Sequence, residues 1–297
     1  MKGIILAAGA GTRLYPASLP ISKILLPIYD KPMIYYPLST LMLAGIKDIL
    51  IITNEADLPN FQKLLGDGSH IGLNISYKVQ PVQRGIADAF LLGEDFINGE
   101  DVALILGDNI FHGFGFSTLM KEAIKNNNGA TVFGYRVHDP ERFGVVEFDQ
   151  NKKVISLEEK PKKPKSNYAV TGLYFYDKNV CNYAKTLTLS DRGELEITDL
   201  NRVYLDKGNL NVEILGRGFS WLDTGTQDAM LEASNFVHNI QMNKGELISC
   251  LEEIALNKGF ISPESLSKNI SKLKNKSSYY KYVYNIIEEF KNDSVLV

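Results

Sequence analysis

Gly3-Ile4-Ile5-Leu6-Ala7-Ala8-Gly9-Ala10-Gly11-Thr12-Arg13 decides the fold. Ile4, Ile5 and Leu6 are a short apolar run, the pattern of a parallel strand covered on both faces. The run enters a glycine turn. Gly9 and Gly11 lack a Cβ, so the backbone turns sharply and its N–H groups can approach an anion. Arg13 adds a permanent charge and a planar donor fork suited to phosphate. No Gly-Lys-Ser/Thr follows and the spacing is not GxGxxG, so neither common phosphate loop is present. Alone, the turn also fits a tight strand-to-helix connection.

Moving outward, Lys23 lies ten residues past Arg13, in a segment kept extended by Pro16, Pro20 and Pro27. One rigid and one mobile cation in the same loop suit a polyphosphate. Beyond it, a helix is predicted from Lys31 to Ala44, stopped by Gly45. Strands follow at Asp48–Thr53, Ile75–Gln80 and Asp101–Leu106, with helices at Leu58–Leu65 and Ile86–Phe96 between them. The alternation predicts a doubly wound, mostly parallel, Rossmann-like α/β sheet with right-handed crossovers. Ligands of such sheets bind beyond the strand carboxyl ends, where Gly9, Gln80 and Asp108 fall.

From Thr131 the pattern changes. Strand-length runs at 131–136, 144–148, 154–158 and 168–176 are separated by polar turns, and 149–152 reads as a hairpin turn. This half is expected to be mixed sheet. A helix is predicted over Glu194–Leu205, strands at 211–215 and 219–222, and a helix over 227–241. Tyr279, Val283, Ile287 and Phe290 then recur at helical spacing. The expected division is an α/β domain over 1–240, with a first part to about 130 and a second part over about 131–225. A C-terminal helical segment, 241–297, would follow, packed on its own domain or set against another subunit.

The 297 residues suffice for a large core. A formal charge of −3 gives no electrostatic case for nucleic acid or an acidic membrane. Cys181 and Cys250 have no metal-site spacing, no apolar run reaches membrane-span length, and the first apolar run is too short for a signal sequence. A cytoplasmic enzyme in a reducing compartment is expected.

GAGTRLYP, SKILLP and KPMIYYPLSTLMLAGI, followed by LGDN, YAVTGLYFYD, RGELEITD and WLDTGT, resemble the sugar-nucleotide pyrophosphorylases to about residue 255. The likeness is nearest to the thymidylyl-transferring branch. It implies that dTTP and glucose 1-phosphate give dTDP-glucose and pyrophosphate, feeding deoxysugars such as rhamnose. It also implies Mg²⁺ and a homotetramer. The UTP-using reaction and a non-catalytic nucleotide-sugar sensor are the alternatives. An NAD enzyme lacks its glycine fingerprint.

In this chemistry the attacking phosphate is already an anion. The protein must bring two polyanions into line and stabilise charge on the leaving oxygens. Asp108 and Asp223 each end an apolar run, and each alone also reads as a cap or turn aspartate. The resemblance puts both on Mg²⁺, which takes one or two carboxylates and fills its remaining positions with phosphate and water. It makes Arg13 and Lys23 the catalytic cations. Gly9, Ala10, Gly11, Thr12, Arg13, Lys23, Gln80, Gly85 and Asp108 would hold the nucleotide. Asn109, Gly144, Glu159, Lys160 and Val170 would hold the sugar phosphate.

Departures from the family pattern are Ile24 in place of glutamine, Phe143 in place of tyrosine, and the divergent Pro81-Val82-Gln83-Arg84 loop. Glu252-Glu253-Ile254-Ala255 matches a second nucleotide-sugar site of the family, but Leu256 and Asn257 stand where tyrosine and arginine are usual. Glu194, Glu196 and Asp199 read as helix-start carboxylates. Lys162, Lys163 and Lys165 read as a solvated basic turn, and His112 and His138 as loop residues.

Overall fold

The structure, a computed structural model, describes residues 1–274 and 276–293. The first part alternates strand and helix: β1 (Lys2–Leu6), β2 (Pro27–Ile28), β3 (Lys31–Pro32), α1 (Tyr35–Leu43), β4 (Asp48–Thr53), α2 (Leu58–Leu65), β5 (Asn74–Val79), α3 (Asp88–Leu92), α4 (Glu94–Ile97) and β6 (Val102–Leu106). β6, β1, β4 and β5 lie side by side and all pair in parallel. Successive side chains of a strand point to opposite faces. Ile5, Ile49, Ile51 and Ile105 therefore enter one core, and Ile4, Leu50, Ile52 and Leu104 the other. Two covered faces explain the unbroken apolar runs.

The chain continues through β7 (Asn109–Gly113), α5 (Phe116–Asn126), β8 (Ala130–Arg136), β9 (Gly144–Phe148), β10 (Val154–Glu159), β11 (Tyr168–Tyr176), α6 (Val180–Ala184), α7 (Ile197–Asp206), β12 (Leu210–Leu215) and β13 (Phe219–Asp223). β11 joins the two halves, running antiparallel to β8 along one edge and to β6 and then β9 along the other. β8 pairs in parallel with β12, and β9 and β10 form an antiparallel hairpin. The expected parallel sheet with a mixed extension is thus one continuous sheet. β7 and β13 stand apart as an antiparallel ribbon in which Asn109 faces Asp223.

The C-terminal helices are α8 (Gln227–Lys244), α9 (Leu251–Asn257), α10 (Pro263–Asn269) and α11 (Ser278–Asp293). Leu251, Ala255, Leu266, Val283 and Ile287 join the core that holds Ile5 and Leu41. Tyr279 packs edge-on to Tyr35 of α1, and the helical face expected from Tyr279, Val283, Ile287 and Phe290 packs against the chain's own core.

Three predicted helices start later than expected. α1 starts at Tyr35 because Lys31–Pro32 pairs with Pro27–Ile28, with the Lys31 ammonium held by Asp30 at 2.5 Å and Gln241 at 3.1 Å. The helix predicted over 86–96 is interrupted at Gly93 and begins only at Asp88. α7 starts at Ile197, not Glu194, because Leu195 is held extended: its N–H donates to Arg84 O and its carbonyl accepts from Ala87 N. Only Asp199 of the three acidic residues sits in the first turn of that helix; Glu196 instead pairs with Arg192 at 2.8 Å. His112 lies on β7 and meets Phe236 edge-on, so it is not a loop residue.

Candidate active site

The carboxyl ends of β1 and β6 and the β7–β13 ribbon converge on one cavity of about 310 Å³. Arg13, Asp108 and Asp223 line one part of it, and Gly144, Glu159, Lys160 and Val170 another. Asp108 follows β6, and its carbonyl accepts from both the N–H and the hydroxyl of Thr224. Those bonds fasten the end of β13 to the end of β6 and bring together two acids 115 residues apart.

Lys23 stands on a single turn of 3₁₀ helix, and its Nζ donates to Asp108 Oδ2. The loop before it is anchored by Asp57, whose Oδ1 accepts from Ser22 N at 2.8 Å. Asn54 Nδ2 donates to the other oxygen of Asp57 at 2.7 Å. Gly11 has φ +63°, and Ser18 Oγ donates to its carbonyl at 2.7 Å. A β-carbon at Gly225 would lie 3.1 Å from Arg13 Nη2, so the glycine lets the WLDTGT turn pass close to the guanidinium.

Burial works against charge on Asp108, but the charge and hydrogen bond of Lys23, with a further bond from Asn109 at 3.0 Å, hold its carboxyl below the usual range. Burial, then the neighbouring Asp108, pushes Asp223 up to about 6 against the partial relief of Lys23 and Arg13. Two carboxylates facing one cavity with too little positive charge suit a divalent cation that prefers oxygen ligands. No cluster of three or more acidic, histidine or cysteine ligands occurs among the described residues, so such an ion would take its other ligands from substrate and water.

Asn109 ties the two ends of the cavity together. Its Oδ1 accepts from Trp221 Nε1 at 2.6 Å and from Gly172 N at 3.0 Å, while its Nδ2 donates to Asp108. Glu159 ends β10, and Lys160 has φ +42°, so the chain turns there. That kink lets neighbouring residues line one cavity; their charged groups lie 3.7 Å apart. Thr198 donates to Glu159 at 2.5 Å and Arg192 comes within 3.6 Å of it. Sequence reading missed Thr198, Arg142 and Trp221 as cavity residues, although RGELEITD and WLDTGT had been singled out as motifs.

The remaining candidates are distributed differently. Gly9 and Ala10 line a neighbouring cleft with Ser18, Asn54, Asp57 and Gln83. Thr12 lines neither space. Gln80 and Gly85 also line neither. Gln80 Nε2 donates to Asp88 Oδ2 at 3.0 Å, and a β-carbon at Gly85 would lie 2.4 Å from the Leu195 carbonyl oxygen. Ile24 is buried against Gly107 rather than turned toward Asp108. Phe143 meets Trp221 edge-on at 5.2 Å, and Lys165 pairs with Glu158 at 2.8 Å in an exposed turn. A separate cavity of about 260 Å³ lies between β7 and α9, lined by His112, Lys244, Glu253 and Asn257 among others.

The nucleotidyl transferase family model matches residues 2–240. A glucose-1-phosphate thymidylyltransferase of Neisseria gonorrhoeae is 57% identical, covering 97% of this chain and 99% of its own. One from Xanthomonas campestris is 58% identical over 95% of each chain. A crystal structure from Bacillus anthracis, described as a glucose-1-phosphate thymidylyltransferase in complex with sucrose, superposes with TM-score 0.73 at 44% identity. It covers 80% of this chain and 94% of that one. A UDP-glucose pyrophosphorylase at 23% identity shares the fold, with TM-score 0.72. The chain belongs to the nucleotidyl transferase family and, within it, to the glucose-1-phosphate thymidylyltransferases.

Proposed function

We propose that this chain transfers a thymidylyl group from dTTP to glucose 1-phosphate, giving dTDP-glucose and pyrophosphate. The observation that carries the reading is the single cavity that joins Arg13, Asp108 and Asp223 to Glu159 and Lys160. A purely sugar-binding pocket has no use for paired, half-buried acids beside an arginine; a nucleotidyl transfer site needs both.

Asp108 and Asp223 would hold Mg²⁺, which when bound neutralises phosphate charge and polarises the reacting phosphoryl oxygens. Arg13, on the glycine turn, stabilises charge as pyrophosphate leaves. Lys23, already aimed at Asp108, turns toward the transferred phosphate once the acid is otherwise neutralised. Gly9, Ala10, Gly11 and Thr12 bring backbone N–H groups to the triphosphate. Gln80 reads the pyrimidine edge, and Gly85 keeps the adjoining loop close to Leu195.

On the other side, Glu159 accepts from sugar hydroxyls while Lys160 pairs with the 1-phosphate. Gly144 and Val170 shape the sugar wall, and Asn109 fixes it relative to Asp108. The attacking phosphate oxygen needs no general base; positioning and charge stabilisation supply the rate. On this reading residues 1–130 bind the nucleotide, about 131–225 the sugar, and 241–297 adjoins another subunit of a tetramer. The enzyme works in the cytoplasm, supplying dTDP-glucose to deoxysugar synthesis. No described helix is long and apolar enough to cross a membrane.

Pyrophosphate release with dTTP, UTP and glucose 1-phosphate, with and without Mg²⁺, tests this. Metal-dependent release with kcat/KM favouring dTTP is expected. Tight nucleotide-sugar binding without turnover would establish a sensor instead, and a preference for UTP would overturn the thymidylyl assignment.

A further inference from the structure

Gln80 follows β5, its N–H donating to the Thr53 carbonyl at 2.8 Å at the carboxyl edge of the parallel sheet. Its side chain is almost fully buried, and its Nε2 donates to Asp88 Oδ2 at 3.0 Å. Asp88, at the start of α3, is 1% exposed. Its other oxygen accepts from Arg84 Nη2 at 2.7 Å, from an arginine half out in solvent. An ionised carboxylate only accepts hydrogen bonds. The atom of Gln80 that faces it must therefore be the NH₂ group, and the reverse orientation would set two acceptors against each other in a buried place.

We propose that Asp88 is a positioning residue that fixes the orientation of the Gln80 amide and so makes the site select an imide base over cytosine. The inference rests on the reading of Gln80 as the group that meets the pyrimidine. With one N–H committed to Asp88, the amide presents its oxygen and its second N–H side by side. That pair matches the N3–H donor and neighbouring carbonyl of thymine or uracil. Cytosine carries an acceptor at N3 and an amino group beside it, so it needs the amide turned over. Buried Asp88 opposes that turn. Such polar mismatches discriminate far more strongly than a missing methyl group.

Asp88→Asn is the informative change, because it keeps the shape and alters the hydrogen-bond code. Arg84 only donates, so it draws the oxygen of the new amide toward itself and leaves an NH₂ group facing Gln80. The Gln80 amide then turns over. In pyrophosphate-release assays of the full chain at saturating glucose 1-phosphate, the ratio of kcat/KM for dTTP to that for dCTP is expected to fall at least tenfold. The KM for glucose 1-phosphate and the melting temperature should stay close to wild type. Adding Arg84→Met frees the new amide to rotate and is expected to restore much of the ratio.

Equal loss of kcat/KM for both nucleotides, with no recovery in the double variant, would reduce Asp88 to a packing role and overturn the proposal. Gln80→Ala separates the layers. An unchanged dTTP-to-dCTP ratio in that variant would remove Gln80 from base reading, and the Asp88 proposal with it, while leaving the transferase reaction itself intact. Absence of any dTTP turnover by wild type would instead count against the transferase reading.

Discussion

Lys23 donates a hydrogen bond across 85 residues of sequence to Asp108, which lines the same cavity as Asp223. Neither group is available to substrate alone while they hold each other. Charge brought to Asp108 from elsewhere frees Lys23 for phosphate. Lys23→Ala and Asp108→Asn are each expected to lower kcat by about 10²–10³-fold. Because the two groups act on the same charge, the double variant should be far less impaired than the product of the single losses, measured as kcat/KM for dTTP.

Gly225 tests the placement of Arg13. An added methyl would lie 3.1 Å from Nη2 and 3.3 Å from Cζ, close enough to push the flexible end of the side chain aside. Gly225→Ala is expected to cut kcat/KM for dTTP by about tenfold or more, since small misplacements of charged groups are costly in oriented sites. Glucose 1-phosphate KM and thermal stability should change little.

Two glycines on the sugar side make opposite predictions. A β-carbon at Gly172 would sit 2.6 Å from Asn109 Oδ1, where no space exists without breaking the Trp221 and Gly172 hydrogen bonds. Gly172→Ala should lower both activity and melting temperature. At Gly144 the nearest atom would be Glu159 Oε2 at 3.4 Å, an ordinary contact. Gly144→Ala should fold normally and raise KM for glucose 1-phosphate, as measured by steady-state kinetics beside a thermal melt.

Glu252 of α9 is buried and accepts from Tyr279 of α11 at 2.5 Å. Burial raises its carboxyl above the ordinary value of 4.5, partly offset by that hydrogen bond. The folded state then holds a proton that the unfolded chain releases, so this group's contribution is full below the unfolded pKa and declines as pH rises through the folded one. Glu252→Gln keeps an acceptor for Tyr279 and removes the titration. Melting temperatures of the variant and wild type should match best at the acid end of the range in which the chain stays folded, and the variant should gain on wild type as pH rises from there. Parallel curves would contradict this.

The parallel sheet was legible because its strands are covered on both faces and read as unbroken apolar runs; Asp48–Thr53 and Leu58–Leu65 match the observed elements. β7 was not legible. Asn109-Ile110-Phe111-His112-Gly113 is too short to show a period, and its partner β13 lies over a hundred residues away. Helix starts at 86 and 194 were misplaced for a similar reason: the two segments hydrogen-bond to each other through backbone groups of Arg84, Ala87 and Leu195. Within the cavity, Arg13, Asp108, Asp223 and Glu159 were visible through turn position and motif. Thr198 and Arg142 were not, because one stands on α7 and the other on a short 3₁₀ turn, and tertiary packing rather than local spacing brings them to Glu159 and Asp223.

The most direct test is a crystal structure with Mn²⁺ and a non-hydrolysable α,β-methylene analogue of dTTP, with the metal located by its anomalous scattering. The account predicts one ion contacting both Asp108 and Asp223, with Arg13 and Lys23 on the phosphate chain. An ion bound away from both carboxylates, with the triphosphate out of reach of Arg13, would contradict it.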